Sequence, residues 1–367
     1  MTHVATPGRF RAVLESGAFT VTAEIGPPRG ADAGAIVRKV LQLRDWTTAV
    51  NITDNQGAAV RLSSWAGSLA AMTAGVEPIM QVACRDRNRI ALQSDLLGAS
   101  AMGIPNVLVM TGDHPRFGDH AGAKPVFDLD SVQLLWTART MRDEGKLLSG
   151  RELDPAPSWF LGAVENPSAP PADFRAARLA KKVAAGAQFV QTQYVFDAAA
   201  FGRWMSQVRD LGLHERCHIL AGVGPISSLR ALSHLQERVP GVQVPAELAR
   251  RLRGVPAERV ADEAMTACAE TISELRQIPG VAGVHVMAVG NEHRIPAILR
   301  LAGLNEVGAA PQRDMAGLSE VGGEAGAAAT AGRRLARADA TRGGLGGSSP
   351  RGNAGGSSPR GNRAHAG

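Results

Sequence analysis

Three polar side chains stand where an apolar run of the chain stops. Glu24 lies inside Phe-Thr-Val-Thr-Ala-Glu-Ile (19–25), just ahead of Gly26-Pro27-Pro28. A carboxyl buried at such a position is a candidate general acid; paired with a lysine or arginine it is only structural. Asp113 follows the run 106–111 and a glycine, so little bulk stands beside its carboxylate. It can stabilise a developing cation or cap the segment that follows. Gln193 closes the run 188–193 and offers both donor and acceptor. That suits the edge of a flat polar heterocycle, and equally a hydrogen bond to a neighbouring loop.

Other polar groups make weaker cases. Arg85-Asp86-Arg87-Asn88-Arg89 is a candidate phosphate site, but Asn88 suits a helix N-cap and the charges can pair among themselves. Lys181 and Lys182 lie on a helical pattern before Ala-Gly-Ala and read as surface charge. The nine histidines show no ligand-like spacing, and His114 and His120 flank a Gly-rich loop, so no metal site is expected. Cys84, Cys217 and Cys268 are far apart and form no C-x-x-C, which reads as buried reduced thiols.

The elements that must position these residues alternate along the chain. Strand-like runs occur at 19–25, 48–53, 78–84, 106–111, 158–164, 188–193, 217–223 and 283–289. Helical spacing follows them at 33–45, 60–75, 88–102, 130–145, 173–186, 197–211, 226–238 with 257–278, and 293–303. Eight strands each followed by helix predict an α/β fold, a (β/α)₈ TIM barrel over 17–304. Several strands are apolar throughout, as a parallel sheet covered by helices requires. The rival, a doubly wound open sheet, often carries a Gly-rich phosphate loop after its first strand. Here that turn is Ile-Gly-Pro-Pro-Arg-Gly, and the chain has no G-x-G-x-x-G or G-x-x-x-x-G-K-[ST]. In a barrel, strand ends at the C-terminal face carry chemistry, which brings Glu24, Asp113 and Gln193 to one rim.

The chain has 367 residues, is 44% hydrophobic and carries a net charge of +6, which invites a nucleic-acid partner. The position of the charge argues otherwise. Seven arginines and one acid fall after Gly326, so the remainder is balanced. From 305 to 367 the composition turns to Gly, Ala, Ser, Pro and Arg, and Gly-Gly-Ser-Ser-Pro-Arg-Gly-Asn occurs at 346–353 and 355–362. A disordered tail is expected there, with no aromatic among its arginines to stack on bases. Residues 1–16 read as an N-terminal extension without an apolar signal core, and no run reaches the ~18 apolar residues of a membrane span. A cytoplasmic protein is the expectation.

Taken in order, the motifs resemble the methylenetetrahydrofolate reductase family, whose members are flavin-containing (β/α)₈ barrels reducing 5,10-methylenetetrahydrofolate to 5-methyltetrahydrofolate. The resemblance covers about 17–304. It runs through Ala-Glu-Ile-Gly-Pro-Pro-Arg (23–29), Val-Asn-Ile-Thr (50–53), Thr-Gly-Asp-His-Pro (111–115) and Lys-Pro-Val-Phe-Asp-Leu (124–129). It continues through 181–197, with Gln-Thr-Gln-Tyr-Val-Phe-Asp, and Ala-Gly-Val-Gly-Pro-Ile (221–226). The wording is closest to divergent bacterial members.

By position, the resemblance implies that Glu24 is the acid that opens the folate imidazolidine ring to a 5-iminium ion. It implies that Asp113 supports that cation and binds folate, and that Gln193 contacts the pterin. Cofactor contacts are implied at Thr53, Gly112, Asn166 and Lys182, with FAD as the flavin and NADH or NADPH as co-substrate. Four positions depart from the family pattern. Gln81 replaces the usual His, Thr111 replaces an Arg before Gly-Asp, Val-Glu-Asn-Pro (164–167) replaces Tyr-Pro-Glu-x-His, and 289–294 replaces Leu-Asn-Arg. These changes leave FMN, or no flavin, as alternatives. They also leave open a folate- or flavin-binding subunit that works as a homo-oligomer or takes electrons from a partner subunit.

Overall fold

Apolar runs bounded by Gly, Pro and polar turns become strands because both of their faces are covered. In the computed structural model, which describes residues 8–239 and 241–305, eight parallel strands pair in chain order. They are β1 (Thr20–Ile25), β2 (Ala49–Ile52), β3 (Pro78–Ala83), β4 (Asn106–Met110), β5 (Phe160–Glu165), β6 (Phe189–Tyr194), β7 (His218–Val223) and β8 (Val281–Val286). β8 returns to β1, with Thr22 opposite His285, and closes the barrel. The TIM-barrel architecture expected from the alternation is the one observed.

α1 (Arg9–Glu15) precedes β1, and helices wrap the outside: α2 (Ala33–Leu41), α3 (Ser64–Thr73), α4 (Arg89–Ala101) and α5 (Ser131–Asp143) follow β1 to β4. α6 (Arg175–Ala185), α7 (Ala198–Asp210), α8 (Leu229–Arg238), α9 (Ala246–Arg253), α10 (Val260–Leu275) and α11 (Ile295–Leu301) complete them. Their starts are set by side-chain caps. Asp32, Ser63, Asn88, Asp197 and Ser228 each accept a first-turn N–H, and Asp130 with Gln133 forms a capping box.

Two short helices were not expected. α1 lies in the stretch read as an extension, and its buried Phe10 and Leu14 pack against Ala49, Ile79, Leu108, Phe160, Phe189 and Leu220, the apolar floor of the barrel. Glu77 supplies the cap that α1 lacks, accepting the N–H groups of Arg9 (2.7 Å) and Phe10 (3.2 Å). α9 is eight residues with four charges, too short and too polar for its periodicity to stand out.

Alternation along each strand then separates two environments. Val21, Ala23 and Ile25 face the helices as part of the outer core, while Thr22 and Glu24 point into the barrel. Phe160 and Phe189 stack 5.1 Å apart on the floor, with Phe10 edge-on to Phe189 at 5.0 Å. Gly162 is needed beside them: a Cβ there would lie 2.2 Å from the Phe189 ring. β8 begins two residues earlier than its hydrophobic run suggested, because Val281 already pairs with Ile219 and the β7–β8 register shifts at that point. Most of the expected tail, from 306 onward, lies outside the described residues. No helix among the described residues is long and apolar enough to cross a membrane.

Candidate functional site

The carboxyl of Glu24 sits at the C-terminal end of β1, only 8% exposed. Its neighbours include amides and an imidazole, and among the described residues no lysine or arginine forms an ion pair with it. Gln56, in the loop after β2, donates to Oε1 at 2.9 Å; Gln81 of β3 donates to Oε2 at 3.4 Å. His285 of β8, 3% exposed, places Nε2 3.7 Å from the same Oε2. Tyr194 is close enough that its phenol is pushed well up, first by burial and then by the charge of Glu24. Its hydroxyl donates to the carbonyl of Met287 at 2.9 Å. Glu24 is therefore a buried carboxyl with neutral donors around it, a group equipped to exchange a proton.

Below Glu24 the barrel interior stays polar for one further layer. His285 Nδ1 lies 3.0 Å from Thr22 Oγ1, and Gln191 donates to the same hydroxyl at 3.0 Å. Gln191 and Asn51 exchange two amide hydrogen bonds, at 2.5 and 3.0 Å. Thr22, Asn51, Gln191 and His285 are all buried. Histidine spacing could not reveal His285. The usable signal was its place in Gly-Val-His-Val, where period-two alternation turns it inward beside Gly283.

Asp113 and Gln193 occupy the same rim. Asp113 stands exposed three residues past β4, its carbonyl accepting weakly from the Arg85 guanidinium at 3.4 Å. Gly112 before it has φ +89°, and a Cβ there would press on Ala83 and Arg85 at 3.2 Å, so backbone shape and packing both require glycine. Gln193 Oε1 accepts the N–H of Tyr194 at 2.9 Å, which leaves its amide NH₂ available at the mouth. A cleft of about 260 Å³ opens next to it, lined by Ser168, Tyr194, Phe196 and Gln243.

The basic run after β3 proves structural. Asn88 caps α4, Arg85 grips Asp86 at 2.7–2.8 Å, Arg87 bridges Asp54 and Asp95, and Arg89 grips Asp128 at 2.8–2.9 Å. Burial raises the Asp86 carboxyl, but Arg85 outweighs it and holds the group below its usual range. Asp54 is pushed up by burial, only partly countered by Arg87. The cysteines are buried, and burial pushes Cys84 and Cys268 up to about 12, far from a reactive thiolate.

The positions that the family resemblance assigns to flavin divide. Thr53 Oγ1 is buried with no hydrogen-bond partner, an orphan that a ligand atom at the β2 end would satisfy. Lys182 is occupied: Nζ donates to the Val164 carbonyl at 2.5 Å and to Glu165 Oε2 at 2.9 Å, while Arg178 holds the other carboxylate oxygen at 3.1 Å. Asn166 is occupied too, donating to the Gly241 carbonyl at 3.3 Å and accepting from the Ser168 N–H at 2.9 Å. With Thr111 in place of an arginine, these positions present no uncommitted cation for a flavin diphosphate. The set does not fit a firmly held dinucleotide flavin, and no chemical step is derived through one.

Comparison with known proteins bears on the family and the fold. The family model for methylenetetrahydrofolate reductase matches residues 9–303. A probable methylenetetrahydrofolate reductase (NADPH) of Caenorhabditis elegans is 24% identical over 233 residues, covering 63% of this chain. The match covers only 33% of that relative, so the chain spans about a third of its length. Among solved structures, an uncharacterized protein from Clostridium thermocellum that binds two copies of 5-methyl-5,6,7,8-tetrahydrofolic acid superposes with a TM-score of 0.58. It is 14% identical, covers 80% of this chain and 97% of its own, and shares the fold.

Proposed function

The chain belongs to the methylenetetrahydrofolate reductase family, and from that premise we propose that it reduces 5,10-methylenetetrahydrofolate to 5-methyltetrahydrofolate. The observation that carries this reading is the buried Glu24 carboxyl, ringed by neutral donors at the mouth of a barrel whose rim also presents Asp113 and the Gln193 amide.

Each residue has a distinct task. Glu24 gives its proton to the folate nitrogen that leaves the methylene bridge; that carbon–nitrogen bond breaks and a 5-iminium cation forms. Gln56 and Gln81 stabilise the carboxylate left on Glu24. Asp113 supplies negative potential for the iminium. Gln193 offers its free NH₂ to the pterin edge and fixes the ring plane, so that hydride arrives along one face. Hydride transfer to the iminium carbon, from NADH or NADPH as the donor class, completes the methyl group. The binding of a folate by the Clostridium thermocellum protein supports this substrate class.

A second reading, a folate-binding subunit whose electrons come from a partner protein, is favoured by one observation: Lys182 and Asn166 are committed within the fold. One assay separates the two. The purified chain alone, given methylenetetrahydrofolate with NADH or NADPH, should form 5-methyltetrahydrofolate by chromatography. Folate binding without product would reject the first reading in favour of the second.

A further inference from the structure

The interior hydrogen bonds determine which nitrogen of His285 carries the proton. Gln191 and Asn51 exchange amide hydrogen bonds, and in this arrangement Gln191 Nε2 also donates to Thr22 Oγ1. Thr22 accepts there and has one proton to give. Its acceptors are His285 Nδ1 at 3.0 Å and the Val284 carbonyl at 3.5 Å, and the shorter contact takes it. His285 Nδ1 is then an acceptor, and the neutral ring bears its hydrogen on Nε2, facing Glu24 Oε2. The separation of 3.7 Å exceeds a hydrogen bond, so the contact requires the Glu24 carboxyl to turn towards His285.

We propose that His285 is a positioning residue for Glu24: Asn51, Gln191 and Thr22 set its tautomer so that Nε2–H meets the carboxylate formed when Glu24 gives up its proton. In that step the Glu24 O–H bond breaks, a substrate N–H bond forms, and the electron pair stays on Glu24, where His285 stabilises it. The inference rests on the proposed reduction for its catalytic meaning, while the tautomer is assigned from the hydrogen-bond distances around Thr22. Titratable groups facing the pair are few. β6 contributes Tyr194 and β1 contributes Glu24 itself, while β7 presents Gly222, which does not titrate, opposite His285.

Two measurements test it. Nitrogen NMR of the imidazole in the full chain should report the Nε2–H tautomer in wild type and a changed Nε2 resonance in Glu24→Gln. An Nδ1–H tautomer overturns the inference whether or not the chain reduces folate. For catalysis, His285→Leu should lower kcat by about ten- to hundredfold, the value of one hydrogen bond to a charged group. KM should stay within about twofold, and the high-pH fall in rate should move to higher pH. His285→Gln, which keeps a donor near the Nε2 position, should recover most of the loss. Equal rates in the leucine and glutamine variants, whether both normal or both lost, would reject the positioning role.

Discussion

The two ends of the barrel interior are built from opposite materials. At the N-terminal end, Phe10, Leu14, Phe160, Phe189 and their aliphatic neighbours make a dry plug, anchored by Glu77 at the start of α1. One layer up, Thr22, Asn51, Gln191 and His285 are buried and hydrogen-bond to one another. A buried polar layer is costly unless every member is paired, so its presence here signals work other than stability. The aromatic plug supplies packing energy beneath this layer, and under the proposal above the layer in turn positions Glu24 through His285. The contrast teaches that stability and chemistry occupy separate levels of one tube, in keeping with the division between barrel faces.

That separation can be broken from either side. Phe189→Ala should destabilise the fold by about 3–5 kcal/mol, read from denaturant unfolding, because its ring fills the floor against Phe10 and Phe160. At temperatures where the variant stays folded, KM for folate should be unchanged; a large KM shift would show the levels to be coupled. Lys182→Met tests whether the buried Glu165 cluster belongs with the scaffold. It should cost about 2 kcal/mol, below the ~3–5 expected for a stranded buried charge, because Arg178 still holds Glu165. Adding Glu165→Gln should return part of that loss. Stability unchanged in Lys182→Met, with folate reduction lost, would instead move Lys182 to the site.

A smaller effect is expected at the rim. Asp113→Asn keeps the exposed side chain's size and removes its charge, and should lower kcat/KM by about tenfold (~1.4 kcal/mol) with no change in unfolding. The least effect lies at the Arg89–Asp128 pair, which ties the loop before α5 to the start of α4. Arg89 holds the Asp128 carboxyl down to about 2. A depressed folded value means that this contribution is present above the ordinary aspartate range, about 3.9, and is lost as pH falls through the folded value. Carboxyl NMR should show Arg89→Ala raising the Asp128 midpoint towards the ordinary value of about 3.9, short of it because the residue-89 N–H still donates, with little change in reduction at neutral pH.

Much of this was legible in the sequence, and the gaps have physical causes. The eight strands were legible because each carries a largely apolar run bounded by turn residues, and Glu24 stood out as a carboxyl inside such a run. The Asn88 cap and the self-pairing of the arginines after β3 were also readable, since capping and local ion pairs depend on near neighbours in the chain. α1 escaped because seven residues form a helix only when the barrel floor receives Phe10 and Leu14. The Thr22–His285 contact escaped because it spans the closing seam of the barrel, 263 residues apart, and only the β1–β8 register creates it. The occupation of Lys182 by Glu165 depends likewise on how α6 packs beside β5.

The central claim is that the buried carboxyl at the end of β1 is the acid of a folate reduction. The most direct measurement is formation of 5-methyltetrahydrofolate from methylenetetrahydrofolate and NADH or NADPH, comparing wild type with Glu24→Gln at matched, verified folding. Loss of the general acid should lower the rate by about 10²–10⁴-fold while folate binding by calorimetry persists. A Glu24→Gln protein that turns over at the wild-type rate would contradict the account.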